Sequence, residues 1–344
     1  MKQVGMFLLS CCMATMSMAQ SDKDQPFMTK SLAGQNVSSV EAETSGGNIT
    51  VEAGAADEAR VEVFAWAGKN KNASKADIQK MIDEFYDLSV EVNAGRVVAK
   101  ARPKTKEWNR KNSLSISFRI YTTANVATQL STSGGNIHLA GLNGAQKIST
   151  SGGNLTIDKV KGKLKGTTSG GNINVSNSDD ELILTTSGGN IHADNCKGVI
   201  RLVTSGGSIM LNNLSGKTEA VTSGGNVDGN LVSGELEAST SGGNVVLKSI
   251  SGDLTASTSG GNVSVDVKEP GKLIRIRNSG GDISLTLPAG KGYDLDLSAN
   301  KIRTNNLGNF TGKTSDDEMN GTLNGGGSKV TVDGRQGRLT LTMK

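Results

Sequence analysis

A Ser-Gly-Gly segment, nearly always followed by Asn, recurs along this chain at one fixed spacing. Its starts fall at Ser133, Ser151, Ser169, Ser187, Ser205, Ser223, Ser241 and Ser259, each 18 residues after the last. Ser279 follows 20 residues later as Ser-Gly-Gly-Asp, and an outlying copy begins at Ser45. A constant period of this length means one structural unit per repeat. Such units cover each other's apolar surface when stacked, and none is stable alone.

Alignment of the copies shows which side chains face inward. The residue after the turn is always a branched aliphatic, from Ile137 and Leu155 to Val245 and Val263. Two positions on lie Leu139, Ile157, Val175, Ala193, Leu211, Gly229, Leu247 and Val265. That is period 2, the pattern of a short strand with one buried face. A third apolar column contains Leu142, Val160, Cys196, Leu214, Val232 and Ile250, and a second glycine turn follows at Gly144, Gly162, Gly198, Gly216, Gly234 and Gly252. A second alternating strand then buries residues such as Leu164, Leu182, Ile200, Leu236 and Leu254.

Two strands and two turns per 18 residues predict an all-β chain folded as a single-stranded parallel β-helix, a β-solenoid. Parallel crossovers favour right-handed winding. Left-handed hexapeptide helices also have 18-residue coils, but they repeat an apolar residue every six positions, which this chain does not. The Gly-Gly pair is expected to supply backbone angles closed to other residues. Asn136, Asn154, Asn172, Asn190, Asn226, Asn244 and Asn262 are expected to stack as a structural ladder, amide to amide. A column of Thr132, Thr150, Thr168, Thr186, Thr204, Thr222, Thr240 and Thr258 runs beside them. A calcium ladder would need carboxylates where the repeat has amides, so no metal and no cofactor is expected.

Composition agrees with this reading. The chain has 45 Gly, only 4 Pro and 3% aromatics, which fits many tight turns and thin strands packed by aliphatic residues. A formal charge of +4 gives no case for nucleic acid.

At the N-terminus, Lys2, the apolar stretch from Val4 to Met16, and Ser17-Met18-Ala19 have the order of a signal peptide cleaved after Ala19. The expected location is the periplasm, the outer-membrane surface or the exterior. The alternative takes Leu8-Leu9-Ser10-Cys11 as a lipobox with Cys11 lipidated. No later apolar segment is long enough for a transmembrane helix. After cleavage one cysteine would remain, Cys196, so stability must come from stacking.

The period breaks over residues 31–125. Strands are expected over Val37–Val51, Arg60–Ala67, Leu88–Val92, Arg96–Ala101 and Leu114–Tyr121. Ser74 to Tyr86 reads as a helix, with Ser74 as N-cap, Asp77 three residues on, and a stripe of Ile78, Met81, Ile82 and Phe85. The predicted divisions are a signal peptide at 1–19, an N-terminal cap and first coils at 20–125, regular repeats at 126–298, and C-terminal coils and cap at 299–344. Gly325-Gly326-Gly327 precedes two last strands ending at Leu341.

The Ser-Gly-Gly-Asn-Ile strands, the entry strand Leu114-Ser-Ile-Ser-Phe-Arg-Ile-Tyr and the closing Gly334-Arg-Gln-Gly-Arg-Leu-Thr-Leu resemble the DUF4097 family of bacterial β-strand-repeat adhesins. Thr122-Thr123 stand where that family usually has Pro. The resemblance implies an envelope or surface location and brings no catalytic residues.

Site chemistry is sparse. His138 and His192 share an outward column but lie three repeats apart. Asp179, Asp180 and Glu181 interrupt one glycine turn, and Ser315 to Glu318 is a second acidic run; both read as solvated loops. Glu235 and Glu237 face outward beside Lys217, Glu219 and Asp253, as cross-strand charge pairs. Cys196 lies in a core column.

Arg102, Lys104, Lys106, Arg110 and Lys111 crowd a loop with Trp108 and form the candidate ligand-binding group. Basic residues around an exposed indole suit an acidic glycan or a phosphate-bearing surface. The expected function is a non-enzymatic cell-envelope or adhesin-like protein that binds glycan or protein through its faces and end loops. The alternative is a carbohydrate-active enzyme on the same scaffold, against which stand the few aromatics and the lack of a convergent polar cluster. An ice-binding face on the Thr columns is a third and weaker reading.

Overall fold

The computed structural model describes residues 25–68, 73–104, 113–305 and 307–344. The described chain is all-β apart from one α-helix, Lys75–Phe85, and a short 3-10 turn, with 25 strands joined in one sheet. Each repeat contributes two strands, one after the Ser-Gly-Gly-Asn turn and one before the next such turn. These form what we call the leading and trailing faces. Ile137 pairs in parallel with Leu155, Leu155 with Ile173 and Ile173 with Ile191 on the leading face. Leu164, Leu182 and Ile200 do the same on the trailing face. Every step advances 18 residues, so the repeats lie as consecutive rows.

The two faces share one core. Ile173, Leu182, Ile191, Leu202, Ile209 and Val227 have no exposed surface. A methyl group added at Gly166 on the trailing face would meet Leu155 of the leading face at 3.2 Å and Leu184 at 2.8 Å, which measures how closely the faces close on each other. Each fully buried Leu or Ile contributes roughly 1.5–3 kcal/mol relative to exposure, repeated row after row. Cohesion therefore comes from the number of rows.

Both ends depart from sequential order. Ser39–Thr44 and Ile49–Ala53, which flank the Ser45 turn, lie directly beside the Ser133 row, pairing Val40 with Thr128 and Ile49 with Ile137. The chain then leaves in an excursion and forms an outer row from Arg96–Pro103 and Leu114–Thr122. Only afterwards does it return to the inner side to begin the regular rows. The antiparallel strands Tyr86–Asn93, Arg60–Ala67 and Met28–Ser31 finish this end. The helix packs here through Ile82, and Ser74 and Asp77 form its capping box.

The C-terminal end reverses this device. After Ile283–Leu287 the chain skips a row to form Tyr293–Thr304, adds the hairpin Phe310–Thr314 and Glu318–Leu323, and then fills the gap. The filling strand is Ser328–Met343, parallel to neighbours on both sides: Ile283 pairs with Leu339, and Leu339 with Ile302. Where two final strands were expected, one bent strand serves both faces. Antiparallel strands cover open row edges at both ends, which would otherwise offer unpaired backbone to another chain.

Candidate functional site

The repeat turns are built from hydrogen bonds between rows. Each turn threonine is buried. Thr186 donates to the Gly171 carbonyl of the preceding row at 2.8 Å and accepts from the Gly189 N–H at 3.3 Å. The same pair of bonds recurs at Thr150, Thr168, Thr204, Thr222, Thr240 and Thr258. These hydroxyls face inward and are committed, so this column offers nothing to ice.

The asparagine column links differently from the amide-to-amide stack expected. The side-chain oxygen of Asn136 accepts from the backbone N–H of Asn154 at 2.8 Å, and Asn154, Asn172, Asn226 and Asn244 repeat the bond to the next row. Asn190 gives its oxygen to the N–H of Ser208, and Asn262 to that of Asp282. The physical reason is that each turn leaves a backbone N–H pointing along the stack, and a carbonyl oxygen from the row before satisfies it. True amide ladders lie at the second turn instead. Asn195 donates to Asn177 at 2.6 Å, and Asn213 donates to Asn195 at 2.8 Å. Their spacing of 18 was the available signal.

Of the basic candidates, Arg102 is forked onto Glu43, and Lys104 donates to the carbonyl of Asp83. Lys106, Trp108, Arg110 and Lys111 lie outside the described residues, as do Cys11 and Ala19.

The acidic candidates are also tied down within the chain. Asp180 accepts from the Gly162 N–H at 2.9 Å, Glu181 pairs with Lys163 at 3.0 Å, and Glu235 with Lys217 at 2.9 Å. Glu318 and Asp317 both bond Ser315. His138 stands 3.7 Å from Glu52, and His192 lies three rows further on. Cys196 is fully buried, and burial pushes its thiol up to about 11, far from the thiolate a nucleophile needs. Among the described residues no group of three or more His, Cys, Asp or Glu could hold a metal.

The trailing face carries what these clusters lack. A shallow basin of about 400 Å³ opens at its N-terminal end, floored by the small residues Ser39, Ala127 and Ala145 of three neighbouring rows. Arg96, Lys147, Lys163 and Lys165 ring it. Arg96 and Lys100 both bind Glu41, and these bonds, Lys100 first, hold its carboxyl below the ordinary value. Lys147 and Lys165 have no ion pair among the described residues. Further along, Val199 is 53% exposed, with Ile183, Val203 and Val221 part-exposed around it. Beyond that band the face turns acidic at Glu219, Glu235, Glu237 and Asp253. Sequence reading found the acidic members but not the basin, whose rows lie far apart in the chain.

No family model matches the sequence, and no curated protein matches it. A crystal structure described as a "putative cell adhesion protein" from Clostridium sporogenes aligns with 92% of this chain and 98% of its own. Identity is 10% and the TM-score 0.28, too low to carry an argument. No described helix is long and apolar enough to cross a membrane.

Proposed function

We propose that this chain is an exported, non-enzymatic β-solenoid of the bacterial envelope, an adhesin-like module that contacts glycan or protein through its outward faces and end loops. In this reading residues 1–19 are a signal peptide, 20–125 a cap with the first coils, 126–298 the regular coils and 299–344 the closing coils. Parallel pairing at a constant 18-residue offset supports a single-stranded parallel β-helix. The general preference of parallel crossovers supports right-handed winding. The role is the one implied by the resemblance to the DUF4097 family.

The observation that carries the functional reading is the trailing face. It is a long, regular surface with a basin, an apolar band, and Lys147 and Lys165 without ion-pair partners among the described residues. Exposed apolar surface rimmed by charge is characteristic of an interaction site.

The test is saturable binding of the purified protein to a mixed array of glycans and matrix proteins. A variant with Lys147 and Lys165 changed to Ser, and another with Arg102, Lys104, Lys106, Arg110 and Lys111 changed to Ser, run beside it. Binding lost in either variant supports the reading and places the site. No binding to any glycan or protein, the chain itself included, removes it.

A further inference from the structure

Three outward columns run the length of the trailing face, and in two of them charged positions reverse sign about one row. The row of Val199, Arg201 and Val203 is the centre. Two rows before it stand Lys163 and Lys165; two rows after it, in the same columns, stand Glu235 and Glu237. One row before it Glu181 occupies the column that Lys217 occupies one row after. The apolar residues Ile183, Val199, Val203 and Val221 fall within one row of the centre. Lys165 and Glu237 each lack an ion-pair partner among the described residues, although both are exposed.

We propose that the trailing face binds a second copy of this chain, face to face and antiparallel, about a two-fold axis along the strand direction through the Val199–Val203 row. This names the protein partner of the binding face and rests on the adhesin-like reading of it. Such an axis reverses the row order and keeps every column opposite itself. Lys165 then meets Glu237 of the second copy, Lys163 meets Glu235, and Glu181 meets Lys217. Val199 and Val203 each meet their own counterparts. Arg201 meets itself and Ile183 meets Glu219. Arg201–Glu219, Lys163–Glu181 and Lys217–Glu235 are already ion pairs within each chain, so the contact extends these pairs. Only Lys165 with Glu237 joins two groups unpaired among the described residues.

Self-complementarity of this kind is what an isologous contact requires. A parallel arrangement is excluded, because it would set lysine rows on lysine rows and glutamate rows on glutamate rows. The sign reversal covers the four row spacings from Lys165 to Glu237, and the whole face that would be covered, from the Gln129 row to the Arg275 row, spans eight, roughly 40 Å by 15 Å. That is about 600 Å² on each copy, at the low end of stable interfaces. A small apolar centre inside a charged frame also predicts weakening by salt, since exposed ion pairs are screened.

The experiment is sedimentation velocity on the purified protein, expressed from its full sequence, at micromolar concentration. The expected result is a particle of twice the chain mass that halves in Lys165→Glu and in Glu237→Lys, and doubles again when both changes share one chain. Val199→Glu halves the mass as well, and circular dichroism of each variant reports that the rows remain folded. A wild type that stays at single-chain mass, or single reversals that leave the doubled mass intact, overturns the proposal. Array binding by a wild type of single-chain mass would do so while leaving the adhesin-like reading in place.

Discussion

Each row of this molecule turns twice, and the second turn asks more of its glycine than the first. In the first turn none of the glycines has a positive φ. What fixes the second glycine of each pair is proximity: a methyl group on Gly171 would lie 1.9 Å from the carbonyl oxygen of Gly153 in the preceding row. The second turn has the same proximity, since a methyl group on Gly216 would lie 2.3 Å from the carbonyl oxygen of Gly198, and adds a conformational demand. Gly162, Gly198, Gly216 and Gly234 have φ of 98°, 108°, 111° and 104°, a region other residues rarely enter. Three residues before this turn position, Asn177, Asn195 and Asn213 take φ of 51°, 56° and 51°, the left-handed region where asparagine is tolerated. A repeat can thus hold one glycine column for contact alone and another for contact and geometry together, and only the structure tells them apart.

The sharpest way to break this comparison is a pair of neighbouring substitutions. Gly171→Ala forces backbone apart between two rows and is expected to cost at least about 3 kcal/mol, the upper end of overpacking penalties. Gly170→Ala puts its methyl 3.7 Å from Ser151, an ordinary contact, and is expected to cost under about 1 kcal/mol. Urea midpoints of the two variants check this. Equal losses would mean that the first-turn glycines are conformational after all, as the sequence alone suggested.

Thr186→Val comes next. It keeps the volume and removes the hydroxyl that bridges Gly171 and Gly189, leaving a buried carbonyl and N–H short of partners. The expected loss is about 1–3 kcal/mol. An outward Thr→Val change at Thr156, on the exposed side of the leading face, is expected to be nearly neutral.

The period, the inward columns and the capped helix were legible because each depends on local spacing, and spacing is what a sequence displays. The row order at the ends was not. Nothing in Ser328–Met343 says that it slips between Ile283–Leu287 and Tyr293–Thr304, because that choice is made by pairing across long separations. The basin was hidden for the same reason: Ser39 and Ala127 become neighbours only once the excursion between them folds away. The asparagine bonds were half legible. Their spacing predicted a ladder, but whether amide or backbone donates depends on the turn's exact path. The antisymmetry of the trailing face could have been found by column arithmetic alone, since Lys165, Arg201 and Glu237 are 36 residues apart in turn.

The second turn can be sharpened by gain instead of loss. Leu231 follows Asn213 in the same column, has φ 55° and is 48% exposed. Leu231→Asn gives up little burial, relieves a left-handed conformation that costs an ordinary residue about 1 kcal/mol, and lets the new amide bond to Asn213. The expected result is a higher urea midpoint, worth about 1 kcal/mol. A midpoint that falls would mean that the leucine packs there and that the column is not conformational.

The smallest expected effect lies on the leading face between the turns. Asp228 stands between Met210 and Val246, and desolvation by these neighbours raises its carboxyl above the ordinary 3.8, with Lys248 pulling the other way. A raised carboxyl favours the folded state when protonated. The benefit is complete below the unfolded value and is lost as pH rises through the higher folded one. At neutral pH the charged form is therefore a liability. Asp228→Asn should raise the urea midpoint at pH 7, and that advantage should shrink as pH falls toward 3. An advantage of equal size at both pH values would mean that shape, not the charge, sets the cost.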